Sequence, residues 1–363
     1  MLILSIRTGF LFLVLSPPFF AALVTADTYN MVKEYSGTNF FDEWTFYDNY
    51  DNLTNGDVVF LSASQAFASK SAFVDSSTKH AIISVDNSST VTFNYKRNSV
   101  RIQTNTRYGV GSIWAADMLH VPYGCSVWPA WWSCSPTWPI GGEIDTFEGV
   151  NMMTKNVMAL HTLEGCKQVG QNQSSTLVNS TDCSYLQDYN KGCITTDPRS
   201  ASYGAAFAAG GGGVFVTEYA ESGISIWFFP RKNVPTVLSS NSSTIDTATL
   251  GVPVGNWPST QCNSAEFFDA QYLIFDITLC GGFAGVPAVF GETCRGSCYK
   301  DHVVGNGSNY AQAYFEIASV RVFSKQVNAS ANVLTSGSRG HCILFSGLSL
   351  GWITAAAVIL LAV

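Results

Sequence analysis

Gly141-Gly142-Glu143-Ile144-Asp145-Thr146-Phe147-Glu148-Gly149-Val150 places three carboxylates within six residues of an otherwise apolar stretch. The surrounding chain is poor in charge, with 12% Asp, Glu, Lys and Arg where about a quarter is usual. Like charges this close in a low-dielectric setting resist joint ionisation, which raises at least one pKa and costs stability. Such crowding points to catalysis. Side chains alternate along a strand, so Glu143 and Asp145 share a face while Glu148, five residues beyond Glu143, points to the other. One β-bulge at Thr146 or Phe147 adds a residue, restores the parity and turns all three acids onto one face. Four effective strand steps still separate the two glutamates by roughly 13 Å at Cα. Their side chains must therefore lean over Asp145 to reach the spacing of about 5 to 5.5 Å that retaining glycosidases use. A solvated edge strand would alternate with Lys, Thr or Ser, and a calcium loop would space its acids as Asp-x-Asp-x-Asp. The stretch does neither.

Outward from this segment the chain reads as strands. Runs rich in β-branched and aromatic residues at 58–60, 81–85, 91–95, 100–104, 223–229, 272–279 and 314–323 are separated by turns rich in Asn, Ser, Gly and Asp. Aromatic residues make up 13% of the chain and Gly contributes 31 residues, while no amphipathic helix stands out between 27 and 328. The expectation is an all-β domain: one large antiparallel sandwich or jelly roll over 27–328.

Both ends read as address labels. Residues 1–26 carry Arg7, an apolar run interrupted by Pro17-Pro18 and small residues up to Ala26, the layout of a signal peptide. Residues 342–363 are charge-free and apolar, preceded by a small-residue and polar spacer over 329–341, the layout of a GPI-attachment signal. A retained transmembrane helix is the competing reading. Removing Arg7 and Arg339 from the 19 basic residues leaves 17 against 26 acidic ones. Such an acidic ectodomain does not suit nucleic acid. Sequons at Asn52, Asn87, Asn172, Asn179, Asn241, Asn306 and Asn328 agree with secretion and glycosylation. Between the two labels lie nine cysteines with no zinc-site spacing. In an oxidising compartment they are expected to form disulfides with at least one left over, in a pairing that sequence does not reveal.

The Glu-x-Asp-x-x-Glu set, in its Gly-Gly-Glu-Ile-Asp-Thr-Phe-Glu-Gly-Val-Asn frame, resembles the signature of glycoside hydrolase family 16, in particular the fungal laminarinase-like β-1,3-glucanases. The likeness extends through Arg97-Asn98-Ser99-Val100-Arg101-Ile102, Trp128-Pro129-Ala130 with Trp132, Leu160-His161-Thr162, Ser202-Tyr203-Gly204, Ile226-Trp227-Phe228-Phe229-Pro230-Arg231, residues 252–257 and Ile317-Ala318-Ser319-Val320-Arg321-Val322. The resemblance implies a β-jelly roll of two curved antiparallel sheets with a substrate groove on the concave face. It also implies Glu143 as nucleophile, Glu148 as general acid/base and Asp145 assisting between them.

Trp128, Trp131, Trp132 and Trp138 all lie within fifteen residues of Glu143. Indole faces stack on the C–H faces of pyranose rings, which suits a neutral polysaccharide. Trp128, Trp132 and Trp138 are expected to line subsites and Trp131 to be peripheral. Asn98, Arg101, His161, Trp227 and Trp257 fall in matching blocks and join the expected substrate-binding set. Cys134 stands where the family is not expected to carry cysteine and is the candidate unpaired thiol, and Gly282-Phe283 replaces a more polar stretch.

The resulting expectation is a secreted, GPI-anchored, monomeric, retaining endo-β-1,3-glucanase acting on β-1,3-linked glucan without cofactor or catalytic metal. A cell-wall transglycosylase using the same residues is the first rival. A carbohydrate-binding lectin on the same scaffold is the second, against which the intact acids speak.

Overall fold

The computed structural model describes residues 28–239 and 241–325, together with the backbone of 333–335. The predicted signal peptide, Asn328 and the 342–363 tail lie outside the described residues.

Two antiparallel sheets face each other, as the strand pattern predicts. The front sheet holds, in chain order, β1 (Trp44–Phe46), β2 (Arg101–Tyr108), β3 (Val127–Cys134), β4 (Glu143–Glu148), β5 (Val157–His161), β6 (Cys193–Thr196), β7 (Gln271–Leu279) and β8 (Val333–Thr335). Its spatial order is β6-β5-β4-β3-β7-β2-β1, with β8 pairing β2 at Thr106 to Tyr108, just beyond the stretch that β1 occupies. Residues 333–335, within the stretch read as a spacer, run as an edge strand beside β2. The back sheet runs in the order Thr244–Asp246, Thr28–Ser36, Tyr314–Ser324, Ser112–His120, Gly213–Ala220, Gly223–Pro230 and Gly255–Pro258. Among the described residues no α-helix exceeds the seven residues of Pro287–Thr293.

Period-two alternation decides what each strand buries. Trp131, Ile144, Phe147, Met158, Leu160 and Phe275 of the front sheet meet Trp114, Phe215, Phe228, Phe315 and Val320 of the back sheet in one core. Each such large side chain contributes about 1.5 to 3 kcal/mol by leaving water. Trp131 is therefore not peripheral: it is fully buried and stacks on Phe275 with ring centroids 4.2 Å apart. Its neighbours Trp128 and Trp132, four residues apart, take the opposite face and are half-buried.

Among the described residues, four disulfides have both sulfurs described and close loops: Cys125–Cys294, Cys166–Cys262, Cys183–Cys193 and Cys280–Cys298. The expectation of a free thiol at Cys134 fails. No described cysteine is free, and Cys134 is disulfide-bonded. Spacing along the chain carries no information about which sulfurs meet in space.

Candidate active site

The acidic strand β4 carries the irregularity that its parity demands. Against β5, Asp145 lies opposite Ala159 and Glu148 opposite Val157, so Thr146 and Phe147 together face only Met158. Against β3, Asp145 pairs with Trp132 and Phe147 with Trp131, which leaves Thr146 as the extra residue. Both bulge side chains turn inward. Thr146 meets Thr217 of the back sheet, Oγ to Oγ at 2.5 Å, and Phe147 packs among Tyr203, Phe215 and Phe315. Glu143, Asp145 and Glu148 are thereby left on the outer face of the front sheet.

Glycines frame the strand. Gly142, at φ +70°, precedes Glu143, and a Cβ there would fall 2.3 Å from the Phe268 ring. A Cβ on Gly149, just after Glu148, would fall 2.4 Å from the Tyr203 ring.

Cross-strand partners share a face, so the registers place one row of side chains after another on the front. Glu148, Ala130, Asp276 and Arg101 form the first row. Asp145, Trp132, Ile274 and Gln103 form the second. His161, Glu143, Cys134 and Tyr272 form the third. Cys134, Tyr272 and Ile274 make an apolar floor on which Trp132 and Trp138 pack.

Hydrogen bonds tie the indoles to the acids. Trp128 Nε1 donates to Glu148 Oε1 at 2.8 Å, and Trp132 Nε1 donates to Asp276 Oδ1 at 2.7 Å. The Arg101 guanidinium lies over the Trp132 ring at 5.0 Å and over Tyr47 at 4.7 Å, and it is buried. Its Nε and Nη2 have no hydrogen-bond partner, while Trp138 Nε1 faces Glu143 and favours its charged form. Trp138 also meets Tyr185 edge to face.

His161 spans the acids and a loop. Its Nε2 is 3.3 Å from Asp145 Oδ2 and its Nδ1 is 3.0 Å from Asn190 Oδ1. The Cys183–Cys193 disulfide closes the ten-residue separation that contains Asn190 and Tyr185, and so fixes both partners.

Burial dominates the titration of this face. It pushes Glu143 up to about 8, with the charge of Asp145 adding and His161 opposing. Asp145 is pushed up to about 6 by burial, held back by its bond to His161. Burial takes Glu148 up to about 7 against the pull of the Trp128 indole and of His161. For His161 burial acts downward, but the charges of Glu143 and Asp145 outweigh it and carry the imidazole up to about 10. Asp276 rises to about 6 by burial, moderated by Arg101 and Trp132. Glu143 and Asp145 lie close enough to titrate as a pair, which holds one proton between about pH 6 and pH 8. One donor atom each of Glu143, Asp145 and His161 lies within 4.8 Å of the others, the one such group among the described residues not made of disulfide sulfurs. The proton shared by the acids and the imidazolium already balance its charge.

A family model described as the XgeA-like, catalytic GH16 domain matches residues 44–323. The chain belongs to glycoside hydrolase family 16. A protein of Schizosaccharomyces pombe named as a probable glycosidase is 37% identical over 301 residues, 82% of this chain and 70% of its own. An endo-1,3(4)-beta-glucanase of Emericella nidulans is 32% identical over 319 residues, 85% of this chain and 49% of its own. The chain thus spans about half the length of that glucanase. Among solved structures, laminarinase 16A of Phanerochaete chrysosporium, holding β-glucans in donor and acceptor sites, superposes with a TM-score of 0.78 at 34% identity over 82% of this chain and 100% of its own. An elongating family 16 β-1,3-glucosyltransferase superposes at 0.75 with 32% identity and the same coverage.

In this family 16 chain, the structure gathers Glu143, Asp145, Glu148, Trp128, Trp132, Trp138, Arg101 and His161 on one face. It does not gather the rest of the expected set. Trp227 lies in the back sheet, on the face away from the core, packed with Tyr29, Ile113 and Val216 and donating to the Gly251 carbonyl at 2.9 Å. Trp257 is wholly buried in the core between the sheets. Both belong to strands of the back sheet, which no pattern within one strand can reveal. Asn98 is exposed on Arg97–Ser99, a strand of a small third sheet. Asp276 and Asn190 were missed. Asp276 was legible as the one acid in the apolar run Gln271–Leu279, the same signal that marks β4. Asn190, in a polar loop, had none.

Proposed function

We propose that the protein is a retaining endo-β-1,3-glucanase that cleaves β-1,3-linked glucan by double displacement. The observation that carries this reading is the bulge of β4, which turns Glu143, Asp145 and Glu148 together onto an indole-lined face. The ionised Glu143 attacks the anomeric carbon and breaks its bond to the glycosidic oxygen, while Glu148 donates its proton to that oxygen. Glu148 then takes a proton from water, whose oxygen attacks the same carbon and displaces Glu143. Burial favours the pair's proton on Glu143, at about 8 against about 6 for Asp145, so attack requires that proton to shift to Asp145, leaving Glu143 as the anion near the imidazolium of His161. Trp128 and Trp132, half-buried on this face, offer ring faces to the sugar. Incubating the domain with laminarin, lichenin and xyloglucan and sizing the products tests this reading. It expects internal cleavage of laminarin and is overturned by an intact polymer. The likeness to an elongating glucosyltransferase supports a second reading, in which a sugar hydroxyl replaces water in the second step. Products longer than the starting oligosaccharide would establish it.

Secretion and a GPI anchor are part of the proposal. The disulfides and the six exposed sequons among the described residues support the secretory route. Release from membranes by a GPI-specific phospholipase tests the anchor, and a C-terminal peptide retaining Trp352 would overturn it.

A further inference from the structure

A bulge leaves backbone groups without their ladder partners, and one side chain takes over two of them, the groups that bracket Phe147 in the bulge of β4. Asn156 Nδ2 donates to the Thr146 carbonyl at 2.9 Å, and the Glu148 N–H donates to Asn156 Oδ1 at 2.9 Å. The side-chain amide thus stands in for a peptide group of the neighbouring strand. Asn156 is itself fixed: it is fully buried, its N–H donates to Ser202 Oγ at 2.9 Å, and its carbonyl accepts from the Asp197 N–H at 2.9 Å. It sits one residue before β5, whose first residue, Val157, lies opposite Glu148.

We propose that Asn156 is a positioning residue that holds the Glu148 carboxyl in register with Glu143 by closing the bulge. The proposal rests on the reading of Glu148 as acid/base. The chemistry at this position is narrow. One donor and one acceptor are needed at asparagine reach; an ionised aspartate offers two acceptors and would face the Thr146 carbonyl, and an alanine leaves both groups unpaired. Loss of the amide does not flip the strand. A one-residue slip would expose Phe147 and bury the Glu148 carboxyl in its place, and Phe147 is held by three aromatic rings. What changes is the aim of Glu148, and a misplacement of about 1 Å costs a proton transfer about 100-fold.

The test compares kcat/KM on laminarin with kcat/KM on 2,4-dinitrophenyl β-laminaribioside, whose leaving group needs no proton. Asn156→Ala is expected to lose about 100-fold on laminarin and less than about 5-fold on the aryl glycoside. Equal losses on both substrates, or none on laminarin, would overturn the proposal. Asn156→Asp serves if the alanine variant does not fold. It should show the same selectivity at pH 7 and regain laminarin activity relative to the wild type as acid protonates the introduced carboxyl and restores a donor; a pH-independent ratio would count against the clamp. Glu148→Ala run alongside separates the two claims. If it shows no leaving-group selectivity, the acid/base reading itself fails; if it does and Asn156→Ala does not, only the clamp fails.

Discussion

Replacing Glu148 by glutamine should make the folded protein more stable, and by an amount that grows with pH. Burial moves the carboxyl from its ordinary 4.5 up to about 7, so the folded state binds a proton that the unfolded chain has already released. The sign follows from linkage: stability is fully present below pH 4.5 and is lost as pH rises through about 7. The loss amounts to about 3 kcal/mol at pH 8 but only about 1 kcal/mol at pH 5. Glutamine keeps the shape, and its Oε1 can still accept from the Trp128 indole, but it does not titrate. The difference in unfolding free energy between Glu148→Gln and wild type should therefore grow by about 2 kcal/mol from pH 5 to pH 8. Urea unfolding at the two pH values reads this directly, since an m-value of about 3 kcal/mol/M turns it into a relative midpoint shift of about 0.7 M. Any packing cost of the substitution is the same at both pH values and cancels. A difference that stays constant between pH 5 and pH 8 would refute the raised pKa and with it the account of Glu148 as an acid protonated near neutrality.

The remaining predictions concern turnover. Glu143→Gln is expected to bind β-1,3-glucan but to lose at least about 10⁴-fold in kcat, because the covalent step is deleted while the indole surface remains; normal turnover would refute its role. For the wild type, kcat/KM should peak between about pH 6, where the Glu143–Asp145 pair gains its second proton, and about pH 7, where Glu148 loses its own; a flat profile across pH 5 to 8 would contradict these assignments. NMR of the first product formed should show the β-anomer, and the α-anomer would exclude a retaining mechanism.

Much of the site could be read along β4 itself. Three acids in a charge-poor strand signal a strained cluster, and the odd separation of Glu143 and Glu148 demands a bulge, which the register shows at Thr146 and Phe147. Trp128 and Trp132 follow from the same period-two rule, since they lie four residues apart on β3. The same rule places Trp131, between them in sequence, on the opposite, core-facing side.

The amino-acid sequence by itself determined the β class, the face of each side chain within its own strand and the need for a bulge in β4, because alternation and parity are local properties of the chain. Only the tertiary structure decided which strands became neighbours. Strand order brought Asp276 beside Trp132 and Arg101, and placed Trp227 and Trp257 in the other sheet. It put Asn156 where the bulge needed an amide, and Asn190 behind His161. Those contacts join residues whose separation along the chain carries no period. They are set by the packing of two sheets across one core, where burial of side chains, rather than any local preference, selects the partner.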